Sequence, residues 1–335
     1  MTAAAQPGLD ARRLVRLMEA AIERCQLDLS PFTVLTEAAS GAYVVTPVLA
    51  AMAGADVSAL AAATSYATAA ELAAMTSGLA QLAGVAGRIQ LVREKSPDIV
   101  GAADIVTNSG QVRPIDAAMV ARLKPSAVIP LMYESWEYRG PDVDLDACRA
   151  RGIPVAGTNE RHPAVDVFSF LGAMAAKQLH DAGIAVYGSR IVVLCDNAFA
   201  PFIGPYLRSG GADVVEAPGL TRDVLAAGCD AVLLALQPGP DTILGAADAA
   251  LLRDGAPGAV LVQYWGDADR GALADAGIPV WPPLPPAPGH MAVLPSAVGP
   301  EPIVRLQSGG LKVGELLARG LHRARPEDLA LVQSL

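Results

Sequence analysis

Residues 189–216, SRIVVLCDNAFAPFIGPYLRSGGADVVE, decide how the rest of the chain is read. An apolar strand over 191–194 enters a short polar loop, and a helix follows with Ile203, Leu207 and the small Gly204 on one side. Gly210 and Gly211 stop that helix, and a second short strand, 213–215, ends at Glu216. This is the strand–loop–helix–strand order of a dinucleotide-binding half, in which phosphates sit on the helix N-terminus. Counted back from Gly211-Ala212, however, the three glycine positions of the usual fingerprint carry Cys195, Asn197 and Ala200. Each lost glycine adds a Cβ where backbone turns tightly or approaches a pyrophosphate. Asn197 tolerates a left-handed backbone better than most residues. Architecture points to a nucleotide; the loop points to a nucleotide site altered or lost. The cofactor candidates here are Asp196, Asn197, Ala198 and Phe199, with Glu216 placed where an acid binds ribose hydroxyls and favours NAD over NADP.

The whole chain bounds the rest. At 335 residues it buries an ample core and is expected to form two domains. Apolar residues make up 52%, yet no uninterrupted apolar run is long enough to span a bilayer, so no membrane association is expected. The N-terminus lacks the basic-then-apolar order of a secretory signal. Cys25, Cys148, Cys195 and Cys229 are scattered without metal-ligand spacing, which suits reduced thiols in a cytoplasmic protein. A formal charge of −9 without a basic cluster argues against a nucleic-acid surface.

Strands alternate with helices along the chain, the pattern of parallel sheets with crossover helices. Asp10 is a candidate N-cap for a helix with Leu14, Met18, Ile22 and Cys25 on one face. A strand over 32–35 runs into Thr36, Glu37, Ser40 and Gly41, which form either an anion or substrate loop or simply a helix cap. The strand at 105–106 repeats that pattern, with Asn108 and Ser109 in the polar loop beyond it. After the strand at 128–131 comes MYESWEYR, 132–139, whose aromatics, acids and Arg suit a ligand wall or a surface loop with a local ion pair. Asn159, Glu160 and His162 follow the strand at 153–155, and a long helix is expected over 164–180. Further strands are expected over 231–236, 259–262 and 278–281, the last of them ending in the Pro-rich run 282–288, which delivers His290. A closing helix is expected over 311–321.

Three segments resemble the D-isomer-specific 2-hydroxyacid dehydrogenase family. DLDACRARGIPV, 144–155, is similar to the segment before its long interdomain helix. CDAVLLALQPGPDT, 229–242, resembles its strand and Pro-containing turn beside the cofactor, and PGAVLV, 257–262, its strand entering the catalytic loop. The resemblance implies an α/β chain of two Rossmann-like or flavodoxin-like parallel-sheet domains with a cleft between them. Residues 1–162 and 303–335 would form the substrate domain and 163–302 the nucleotide domain, through which a homodimer would form. NAD or NADP is the implied cofactor, with Gln237, Pro238 and Trp265 beside it. The family clamps a substrate carboxylate with Arg and moves the hydroxyl proton with a His paired to an acid. Here Tyr264-Trp265-Gly266-Asp267 stand where its Arg-Gly follows the strand. His290 lies near the place of the proton-transfer His, and Arg139 lies close to that of a carboxylate-binding residue.

Parallel sheets place ligands outside the carboxyl ends of their strands, which gathers the loop residues into candidates. Glu37, Ser40, Asn108, Ser109, Trp136, Asn159, Glu160 and His162 are the substrate candidates, and His290, Arg139 and Glu134 the catalytic ones. Histidine as a residue type suits proton transfer to or from a carbinol, which is what singles out His290. No metal spacing such as HExxH is present, so no metal is expected. The first reading is an NAD(P)-dependent oxidoreductase acting on a small polar metabolite resembling a hydroxy or keto acid. The alternatives are a non-redox lyase, hydrolase or transferase using the same cleft, and a catalytically silent binding protein on the same fold.

Overall fold

The computed structural model describes residues 6–239 and 243–335; Pro240, Asp241 and Thr242 of the family-like turn lie outside the described residues. The chain divides into two compact units, Met1–Val167 with Gly299–Leu335, and Phe168–Val298.

The first unit is built on parallel strands β1 (Thr33–Glu37), β2 (Asp56–Leu60), β3 (Ile89–Val92) and β4 (Ile105–Val106), in the order β3-β2-β1-β4. A bridge from Ile105 to Val128 carries the array on to β5 (Ile129–Pro130), which pairs in parallel with β6 (Val155–Thr158). The resulting order is that of a Rossmann sheet, which reverses between β1 and β4 and opens a ligand crevice there. A short strand not foreseen in the sequence, Val332–Gln333, runs antiparallel along β6.

Helix Ala11–Cys25 is capped by Asp10, whose side chain accepts from the Arg13 amide, and buries Leu14, Met18, Ala21 and Cys25. The closing helix starts at Glu301 rather than 311 and runs to Arg319. The expected start falls just after Gly309-Gly310, but these glycines are packing positions inside the helix. A Cβ on Gly309 would lie 2.6 Å from Val165 Cγ2, and one on Gly314 2.8 Å from Ile105 Cγ2. Without side chains there, the helix lies directly against the sheet.

The second unit holds β7 (Arg190–Leu194), β8 (Asp213–Ala217), β9 (Ala231–Ala235), β10 (Ile243–Leu244), β11 (Val260–Trp265), β12 (Asp267–Ala268) and β13 (Val280–Trp281). The main sheet is parallel with order β13-β11-β9-β7-β8, and β10 pairs with β12 apart from it. That is the flavodoxin-like order, reversing between β7 and β9. Ile191, Val192, Val193 and Leu194 and all of β9 are buried, as strands covered on both faces must be. The expected helix over 164–180 is shorter: a tight turn at Phe168–Phe170 precedes helix Leu171–Asp181. Asp166 takes a left-handed φ of 51°, which stops a helix from forming earlier.

Candidate active site at the carboxyl edge of the first unit

The loops after β1 and β4 meet at the reversal point. Thr107 Oγ1 donates to Thr36 Oγ1 at 2.8 Å and lies 2.7 Å from Ser109 Oγ, so these hydroxyls form one chain. Glu37 Oε2 accepts the Gln111 amide at 3.2 Å, and Gly110, at φ 38°, brings its backbone against that carboxylate, where a Cβ would overlap it. Burial raises the Glu37 pKa, against the pull of the Gln111 amide and Arg113. Ser40 holds the residue before a short turn, Gly41–Val44, without a side-chain cap bond among the described residues. Asn108 is buried; its Oδ1 accepts the Met132 amide at 2.8 Å, while its Nδ2 has no hydrogen-bond partner among the described residues. An orphaned buried amide of this kind costs about 1–3 kcal/mol until something accepts from it.

Beyond β5 and β6, three carboxyl groups come together. Glu134, 2% exposed, is pinned on both oxygens: Oε2 accepts Trp136 Nε1 at 2.5 Å, Oε1 accepts the Glu160 amide at 3.2 Å, and Arg161 Nε lies 3.7 Å away. Burial pushes Glu137 up to about 7; Arg139 opposes this, the Glu134 charge adds to it, and the Glu134 amide offsets part. Glu160 is also raised well above the usual carboxyl range, by burial and then by Glu137 and Glu134, with a backbone hydrogen bond at Glu134 offsetting part. Tyr43, in the turn after β1, is pushed up to about 12 by burial and by the fields of Glu160, Glu37 and Glu137. A hydroxyl and a set of crowded acids thus share one end of the sheet. Crowding carboxyls out of water keeps a proton on the set at neutral pH, which equips it for general acid–base work.

Of the residues singled out in the sequence, Glu37, Asn108, Ser109, Glu134 and Glu160 lie at this carboxyl edge, Arg139 acts on Glu137, and Trp136 is 43% exposed while bonded to Glu134. Asn159 and His162 hydrogen-bond to backbone groups. Asn159 Nδ2 donates to the Ala330 carbonyl at 2.8 Å, and the His162 ring lies between the Glu327 carbonyl and the Ala164 amide. Tyr43 is not among the sequence candidates, and Glu137 enters only as one of the acids of the 132–139 ligand-wall segment, not as a named site residue. Their signal is present all the same: each sits in a loop that follows a strand of the reversal-point array.

The second unit uses its polar groups differently. Asn197 Oδ1 accepts the Phe199 amide at 3.1 Å and its Nδ2 donates to the Ala235 carbonyl at 2.7 Å. Asp196 Oδ1 accepts the Gln237 amide at 2.9 Å and also takes Asn197 Nδ2. Phe199 is buried, with ring centroids 5.5 Å from Phe168 and 4.9 Å from Trp265, whose Nε1 donates to the Gly289 carbonyl. Ala198 is exposed, and Pro238 is half-buried beyond Gln237. Glu216 lies within β8 rather than beyond it, pairs with Arg208 at 2.6 Å and packs on Gly204. The His290 ring lies 3.1 Å from the Pro288 carbonyl inside its own turn.

These residues do not fit a dinucleotide. A pyrophosphate needs free amides and no fixed negative charge at the reversal point. Here side-chain oxygens of Asn197 and Asp196 take the Phe199 and Gln237 amides, the Asp196 carboxylate is exposed beside them, and the ribose-site acid is paired with Arg208.

No protein-family model matches the chain, and no curated protein matches its sequence. Its fold is nonetheless shared with solved structures. A dipicolinate synthase structure from Bacillus halodurans superposes with a TM-score of 0.56 at 11% identity, over 87% of this chain and 99% of that one. Its counterpart from Bacillus subtilis gives 0.55 at 13% identity, over 88% and 98%. NAD-dependent formate dehydrogenase from Staphylococcus aureus, in complex with NAD, gives 0.50 at 12% identity, over 86% and 95%. The chain therefore shares its α/β fold of parallel sheets with these structures.

Proposed function

We propose that this chain is an enzyme that moves protons on a small polar metabolite at the carboxyl edge of its first unit. The observation that carries the proposal is the crowding of Glu134, Glu137 and Glu160, with Glu137 raised to about 7 and Glu160 raised as well. Glu137 or Glu160 would give its proton to a substrate oxygen, and the resulting carboxylate would recover a proton from the neighbouring carbon or from water. The acids favour a substrate rich in hydroxyl or amino hydrogens, and the orphaned Asn108 Nδ2 suits a carbonyl oxygen. The reaction class this supports is non-redox, a lyase or an isomerase.

Nicotinamide-dependent hydride transfer is the second reading. It is favoured by the fold and by the helix Ala200–Ser209 that begins at the reversal point of the second unit. The Asp196–Asn197 loop weighs against it.

The test is deuterium incorporation. The protein would be incubated in deuterated water with a panel of small hydroxy and keto acids and followed by proton NMR. Exchange at carbon without added NAD is the expected result, falling by about two to four powers of ten in Glu160→Gln. Exchange unchanged in Glu160→Gln and Glu137→Gln would remove this site from the chemistry. Turnover that depends on added NAD or NADP would establish the second reading.

A further inference from the structure

We infer that Asp196 and Asn197 form a clasp that shuts the reversal point of the second unit to dinucleotides. The loops after β7 and β9 are the two sides of that crevice. Asn197 reaches from the loop after β7 to the end of β9 through its 2.7 Å bond to the Ala235 carbonyl, and Asp196 reaches the loop after β9 through its 2.9 Å bond from the Gln237 amide. The same Asn197 oxygen takes the Phe199 amide at the start of the helix. Two side-chain oxygens therefore accept backbone amides at the place where a pyrophosphate would accept them. Phe199 completes the closure: its ring is buried against Phe168 and Trp265, which anchors the loop from below. The Asp196 carboxylate, exposed at the mouth, adds repulsion toward any phosphate that approaches.

The clasp makes a statement about cause, so it is tested by opening it. Wild-type protein, Asp196→Asn and Asp196→Gly are titrated calorimetrically with NAD, NADP and ADP up to millimolar concentration. Thermal unfolding and circular dichroism are recorded for each. Wild type is expected to give no saturable heat. Asp196→Asn keeps the acceptor for the Gln237 amide and loses the charge; Asp196→Gly loses both. ADP affinity should rise at least tenfold above the wild-type limit in Asp196→Asn and further in Asp196→Gly. Micromolar binding of any of the three by wild type overturns the inference. So do variants that unfold like wild type and bind nothing, because the exclusion then has another source. If Asp196→Gly fails to fold, the near-isosteric Asp196→Asn decides alone.

Discussion

The two sheets of this chain end in opposite ways. At the carboxyl edge of the first, charged groups are crowded and kept from water: Glu134 is 2% exposed, Glu160 is 8% exposed, and Asn108 keeps a buried amide without a partner among the described residues. At the carboxyl edge of the second, the polar groups of Asp196 and Asn197 satisfy the local backbone, and aromatic rings fill the space beneath. The first edge holds its groups at a cost in stability; the second closes on itself. Buried polar groups left short of partners are destabilising, so an arrangement that retains them serves something other than stability. A loop that satisfies itself has little left to offer a ligand.

The strongest test of this contrast is a buried ion pair in the first unit against an exposed one in the second. Lys312 and Glu315 are 2.9 Å apart with side chains 6% and 7% exposed, and Glu315 also accepts the Asp28 amide and Arg319 Nε. Lys312→Met removes the closer of two cations on that buried carboxylate, leaving Arg319, and should cost about 1–3 kcal/mol in urea unfolding. Arg190 and Asp213 in the second unit are 32% and 65% exposed, and Arg190→Met should cost less than about 1 kcal/mol through that pair. Equal losses would show that the first unit is no more dependent on buried charge than the second.

Comparable in size is the pH dependence of the first unit. The Glu137 carboxyl sits at about 7 in the folded chain against 4.5 for a free glutamate side chain, so between these values the folded state holds a proton that the unfolded state has released. Its stabilising contribution is complete below about 4.5 and is lost as pH rises toward 7; above that the cost is constant. Glu137→Gln should remove this slope and stabilise the protein at pH 8 by about 3 kcal/mol. Unfolding free energies between pH 5 and 8 that run parallel in the two proteins would show that Glu137 is not held protonated.

A third test addresses the packing of the second unit. Gly172 lies where helix Leu171–Asp181 touches helix Ala200–Ser209, and a Cβ there would overlap Tyr206 and stand 2.7 Å from the Phe202 carbonyl oxygen. Backbone gives way less readily than a flexible side-chain tip, so Gly172→Ala should cost about 1–3 kcal/mol. In the first unit a Cβ on Gly310 meets the flexible Met132 thioether, and Gly310→Ala should cost less.

Much of this architecture is written locally. The period of strand and helix around 189–216 identifies the second sheet, and the missing glycines already announce a changed loop. What the sequence hides is whatever depends on distant segments meeting. Glu134, Glu137 and Glu160 follow two different strands, and Tyr43 follows a third, so their mutual fields exist only once β1, β5 and β6 are aligned. The start of the helix Glu301–Arg319 is hidden for a related reason: Gly309 and Gly310 weaken helices in isolation, and only the sheet beneath them explains their presence. Conversely, Asn159 and His162 look functional because they are polar and sit in a loop, while their partners, Ala330 and Glu327, lie far along the chain.

His290 supplies the smallest expected effect and the finest distinction between the two edges. Its place after the Pro-rich run suggests a proton-transfer residue, but the ring rests on the Pro288 carbonyl two residues back, and the His290 amide donates to the Ala287 carbonyl. Prolines stiffen this turn independently of the imidazole, because they have little backbone freedom to lose. Asn at 290 keeps a polar side chain able to reach the same carbonyl, so His290→Asn should alter the unfolding free energy by less than about 0.5 kcal/mol. With the acid–base work placed in the first unit, deuterium exchange by the variant should match wild type within a factor of about two, the scale of a residue that contributes nothing to the proton transfer. A hundredfold loss of exchange without loss of stability would return the proton to His290 and make the carboxyl cluster of the first unit a structural feature.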